Sequence, residues 1–113
     1  MTEEKPVTPR DRLFEMHREM SARALKLMRS KNADYAVDDG DPLSNFRRHG
    51  LLGVLVRADD KLARLNTFVK RGTFSVMDEA VEDTLIDLLN YSVIFAFYIE
   101  EEKRKAGEAA EKA

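Results

Sequence analysis

Cysteine is absent from the 113 residues, which excludes a disulfide scaffold and any thiolate metal site. Glycine and proline are sparse, at 5 and 3 residues, while hydrophobic residues make up 43% and charged residues 35%. That balance argues against disorder and against a turn-rich β-sandwich, and predicts a helical globular protein. Long apolar runs are missing too. The longest, Tyr91 to Ile99, falls well short of the ~20 residues that span a bilayer. The opening stretch from Met1 to Arg12 is polar and charged, unlike a secretory leader, so a soluble cytoplasmic protein with no membrane partner is expected. No charge sign dominates, the net charge being -2. Basic residues alternate with acids instead of forming a patch, so direct nucleic-acid contact is not expected.

The length predicts a single domain over 8–105, with a disordered N-terminus at 1–7 and a flexible tail at 106–113. Thr8-Pro9-Arg10-Asp11 reads as a helix start, with Thr8 as cap, Pro9 in the first turn and Asp11 at the positive end of the dipole. Leu13, Met16, Met20, Ala24, Leu27 and Met28 then recur at helical spacing to about Ser30. His17 shares their face, as a core or interface residue before a ligand. From Lys31 to Gly50 periodicity is lost among turn formers, and so long a connection is functional or disordered. The run Asp38-Asp39-Gly40-Asp41 lacks the alternating ligands and closing Glu of a calcium loop. Leu43 to Arg48 is expected to form a short helical turn. A second helix is predicted from Gly50 to Arg71, where Leu51, Leu55, Ala58, Leu62, Leu65 and Val69 keep a seven-residue apolar repeat with Leu55, Leu62 and Val69 as its core face, and Gly72 stops it. A third, capped at Ser75, is predicted to about Lys105. Three long helices leave apolar faces that one chain cannot cover, so a homodimer or larger homo-oligomer completing a helical bundle is expected.

The third helix carries the chemistry. At 100° per residue, Glu79, Asp83, Asp87 and Asn90 fall within about 80° of one another, opposite the apolar Val81, Leu85, Leu88 and Phe95. No lysine or arginine lies between Gly72 and Ile99. Acids four residues apart repel, so a neighbouring element must compensate Glu79, Asp83 and Asp87. Two candidates are a hard cation held by carboxylates and ion pairs to Arg57, Lys61 and Arg64 of the second helix. The same side continues into the bulky apolar Ile94 and Phe97, as a solvated face would not. On the second helix Arg57, Asp60 and Arg64 form a matching polar line, and antiparallel packing would bring Asp60 near Asp83 and Asp87.

Four blocks in order carry a family resemblance: Lys31-Asn32-x-Asp34-Tyr35; Asp41-Pro42-Leu43-x-Asn45-Phe46; Gly53-x3-Arg57-x2-Asp60-Lys61-x2-Arg64-Leu65; and Glu79-x3-Asp83-Thr84-x2-Asp87-x2-Asn90-Tyr91. Over about residues 27–99 the chain resembles the phage and bacterial nucleotide modification associated domain family. That family is distantly similar to the MazG-like all-α nucleoside triphosphate pyrophosphatases. The resemblance implies a magnesium- or manganese-dependent hydrolase converting a nucleoside triphosphate, with dNTPs foremost, to monophosphate and pyrophosphate in phage-type nucleotide metabolism in the host cytoplasm. It implies Asp60, Glu79, Asp83 and Asp87 as metal ligands, the first three catalytic. Arg57, Lys61, Arg64 and Lys31 would meet phosphate, and Asn90 joins the nucleotide contacts. Asn32, Asp34, Tyr35, Asn45 and Phe46 would hold sugar and base, with Tyr35 and Phe46 alternatively anchoring the loop to the bundle. Arg47-Arg48-His49 either meets phosphate or lies on the surface. The spaced glutamates usual on the first metal-binding helix are replaced by Asp60-Lys61. That departure keeps a second function open: a non-catalytic nucleotide binder, either a regulatory subunit of base modification or a nucleotide sponge.

Overall fold

Thr8 and Asp11 cap the first helix reciprocally: Asp11 N–H donates to Thr8 Oγ1 and Thr8 N–H to Asp11 Oδ2, both at 3.1 Å. Two of the four orphan amides of a helix start are satisfied in this way. In the computed structural model, which describes residues 5–35, 41–72 and 79–112 without the side chains of 32–35 and Glu79, the architecture is all-helical. Helix α1 spans Pro9–Tyr35, α2 Gly50–Arg71 and α3 Glu79–Lys112, with a short 3-10 turn at Ser44–Phe46. The expected cap Ser75 and the acids Asp38 and Asp39 lie outside the described residues. Among the described residues no helix is long and apolar enough to cross a membrane.

The helices outrun their expected ends where nothing stops them. α1 continues five residues past Ser30, through Lys31–Tyr35, and α3 continues through the alanine-rich, charged stretch to Lys112. Neither extension contains proline, and alanine, lysine and glutamate are strong helix formers. α2 ends where expected because Gly72 adopts the left-handed conformation (φ 69) and its N–H caps the Val69 carbonyl at 3.1 Å. Gly50 opens α2 at φ 65, and a Cβ there would sit 3.4 Å from the Tyr98 hydroxyl. Gly50→Ala is therefore expected to cost about 1–2 kcal/mol, the left-handed penalty for a residue with a Cβ. A thermal melt checks it, and an unchanged midpoint would mean that α2 starts elsewhere.

α2 and α3 run antiparallel, with Gly50 beside Tyr98 and Lys61 beside Asp87. α1 crosses α3 within the same stretch, where Asn90 Nδ2 donates to the Ala24 carbonyl at 3.0 Å. The small Ala24 side chain lets the helices approach at that point. Among the described residues the buried apolar side chains are few: Ala24, Leu43, Phe46, Val54 and Ile86. The face α2 turns to α3 takes in the Leu51, Ala58 and Leu65 part of the expected apolar repeat but not its Leu55, Leu62 and Val69 line. Val54 is buried and Ala58, Lys61 and Leu65 are half-buried, whereas Leu55, Leu62 and Val69 are 50–60% exposed. The apolar arc of α2 is wider than one neighbouring helix covers, and α3 takes one edge of it.

Candidate functional site

Rotating α2 by that much moves the site chemistry by one residue. Lys61, next along the chain from Asp60 and about 100° round the helix, turns inward; its Nζ lies 3.0 Å from Asp87 Oδ2. Lys31 comes from α1 to the other oxygen, Oδ1, at 3.6 Å. Asp87 thus joins all three helices. Asp60 and Asp83 are exposed, and among the described residues neither has an ion pair. On the opposite flank of the α1–α3 crossing, Arg23 pairs with Glu82, which places Glu82 outside the acid line.

Beside Asp87 a cavity of about 330 Å³ opens between the helices. Its α3 floor is Asp87, Asn90, Tyr91 and Ile94; Met28 and Lys31 of α1 and Arg57 of α2 form two walls. The third wall is the segment Pro42, Ser44, Asn45 and Phe46. The Arg57 guanidinium sits over the Phe46 ring, 5.5 Å from its centroid, a cation–π contact. Two cations, Lys31 and Lys61, thus stand at the single carboxylate of Asp87, and a third, Arg57, lines the same cavity over Phe46. Among described side chains this end of the cavity is net positive, which suits an anion. Tyr91, Phe46 and Ile94 present aromatic and apolar surface alongside it.

The loop wall is held by a latch. Asp41 Oδ1 accepts the Leu43 N–H at 3.0 Å, and its carboxylate takes the Arg47 guanidinium at 2.9 and 3.3 Å. Arg47 also reaches Glu102 at 3.6 Å and stacks over the Tyr98 ring at 5.4 Å from its centroid. Leu43 and Phe46 are buried beneath, so Phe46 anchors the loop and lines the cavity as well. The Arg47 guanidinium, and then the Leu43 amide, hold the Asp41 carboxyl below its ordinary value. A depressed folded-state pKa stabilises the fold at neutral pH, and that contribution is lost as pH falls below about 4, the unfolded carboxylate value, through the folded one. Asp41→Asn is expected to lower the melting temperature at pH 7 and to match wild type in strong acid. A gap that persisted unchanged at pH 2 would contradict this.

Of the residues singled out in sequence, Lys31, Asn45, Phe46, Arg57, Asp87 and Asn90 line the cavity, and Lys61 touches it through Asp87. Arg64 does not; it lines a separate shallow hollow with Thr67, Phe68 and Thr84. The side chains of Asn32, Asp34, Tyr35 and Glu79 lie outside the described residues. Arg48 and His49 are exposed. Among the described residues no three of Asp, Glu or His gather into a metal ligand set, and both Asp87 oxygens already face ammonium groups. The described donors alone therefore do not fit a divalent metal centre. Sequence reasoning missed Met28, Pro42, Ser44 and Tyr91 as cavity residues. Ile94 had a signal: an apolar side chain continuing an acidic line marks a cleft rather than solvent. No protein-family model matches the chain, and no curated protein or solved structure matches it either.

Proposed function

We propose that this is a nucleotide-handling protein of phage-type metabolism, holding a (deoxy)nucleoside phosphate in the cavity between the three helices and acting as a homo-oligomer in the host cytoplasm. The observation that carries it is the meeting of Lys31 and Lys61 at Asp87, with Arg57 lining the same cavity, whose wall is Phe46, Tyr91 and Ile94. Phosphate meets the cations, and the base lies against the aromatic and apolar wall, with Asn45 and Asn90 as polar contacts. Binding is favoured over cleavage because Asp87 is neutralised by two lysines and needs no cation.

Hydrolysis of a triphosphate to monophosphate and pyrophosphate, with magnesium or manganese, is the second reading. It is favoured by Asp83, exposed one turn before Asp87 on the same face of α3, with Glu79 one turn earlier and Asp60 across on α2 as further carboxylates. Both readings meet in one experiment. Purified protein is titrated calorimetrically with a panel of dNTPs, NTPs and their monophosphates, in EDTA and then in Mg²⁺ or Mn²⁺, while products are followed by chromatography. Saturable binding in EDTA without turnover is the expected result. Metal-dependent release of pyrophosphate would establish the hydrolase instead, and no binding by any nucleotide at millimolar concentration would remove both.

A further inference from the structure

The chain is far from compact. Its Cα radius of gyration is 18.8 Å, against about 13 Å for a globular domain of this length. Its accessible surface is 9427 Å², about 3,000 Å² more than a compact monomer of the same mass exposes. Many of the exposed residues are large and apolar, and several are ordered in lines. On α1 a single stripe runs through Leu13, Met16, Met20, Ala24 and Leu27; α3 buries Ala24 and half-covers Met20 and Leu27, while Leu13 and Met16 are left 63% and 53% exposed. On α2 the heptad line Leu55, Leu62 and Val69 is 55%, 50% and 60% exposed, with Leu52 beside it at 67%. Solvated helix faces do not carry apolar residues at unbroken seven-residue spacing.

We infer that a second copy of this chain covers the Leu55–Leu62–Val69 face of α2, across a two-fold axis passing at Leu62. Size argues for this occupant: an obligate homodimer removes about 1,000–2,500 Å² per subunit, and the surplus here reaches that range. So does symmetry. The stripe is centred on Leu62 with one apolar residue a heptad to either side, so two copies related by a two-fold place Leu62 against Leu62 whether the helices run parallel or antiparallel. The seam lies on the side of α2 away from the line of Arg57 and Arg64, so the dimer leaves the cavity open.

Because the chain contains no cysteine, single cysteines report on the seam without background. Sedimentation equilibrium of the wild-type protein at micromolar concentration is expected to give twice the chain mass. Leu62→Cys is expected to form a disulfide-linked dimer under mild oxidation, while Thr67→Cys, exposed on the other side of α2, stays unlinked. Leu62→Glu shifts the mass to monomer, or unfolds the chain where the monomer cannot stand alone; the cysteine pair decides the matter without depending on that variant. A wild-type monomer at every concentration, or a dimer in which Thr67→Cys links and Leu62→Cys does not, would overturn the inference.

Discussion

Asp87→Asn is expected to tighten nucleotide binding while destabilising the fold, an opposite movement of two quantities that few other substitutions here would produce. In the wild type the Asp87 carboxylate draws Lys31 and Lys61 toward itself, at 3.6 and 3.0 Å. A bound phosphate has to compete with it for both ammonium groups. The amide keeps the size and removes the charge, leaving Lys31, Lys61 and Arg57 to the ligand, and roughly tenfold tighter binding corresponds to only 1.4 kcal/mol. Against that, Lys61 is just 18% exposed, and leaving an ammonium that enclosed without its partner costs about 1–3 kcal/mol. The melting temperature should therefore fall by several degrees and recover on adding nucleotide, since ligand stabilises the state that binds it. Calorimetry in EDTA and a thermal melt measure the two sides. If Asp87 instead held a metal for catalysis, the same variant would lose affinity or turnover in magnesium and gain nothing in EDTA.

The contrast between Asp87 and Asp60 marks how far the sequence alone could be followed. Local rules carried well. Thr8 and Asp11 cap α1 as their spacing requires, and Gly72 ends α2 in the left-handed conformation its position demands. The polar line Asp87–Asn90 on α3 was also legible, because residues three and four apart share a face in any α-helix. What depended on rotation was not. A helix with a wide apolar arc can pack on either edge of it, and the heptad-spaced Leu55, Leu62 and Val69 marked the edge that α3 leaves uncovered. One step round α2 exchanges Asp60 for Lys61, which converts an expected carboxylate pair into an ion pair. The latch was illegible for a different reason. Arg47 finds Asp41 six residues away, but Tyr98 and Glu102 lie more than fifty residues along the chain, and no local periodicity announces such a meeting.

Phe46 is where fold and site meet, so its truncation should damage both by amounts that a control can separate. The residue is 9% exposed, and it lines the cavity with its ring under the Arg57 guanidinium. Phe46→Ala removes a buried aromatic, at a cost of about 3–5 kcal/mol; set against the 5–15 kcal/mol typical of a whole domain, that is a large fraction. It also removes the surface against which a base would lie and frees the Arg57 head group. Nucleotide affinity is expected to fall at least tenfold, or 1.4 kcal/mol, in protein still folded at low temperature. Ile86→Ala is the control. Ile86 is 3% exposed on α3 and is not part of the cavity wall, so its truncation costs about 2–5 kcal/mol of stability with affinity preserved at low temperature. Phe46→Leu restores most of the packing without an aromatic face, so it should regain much of the stability but little of the affinity. Equal loss of affinity in Phe46→Ala and Ile86→Ala would mean that nucleotide binding follows global stability and that the Phe46 wall has no part in recognition.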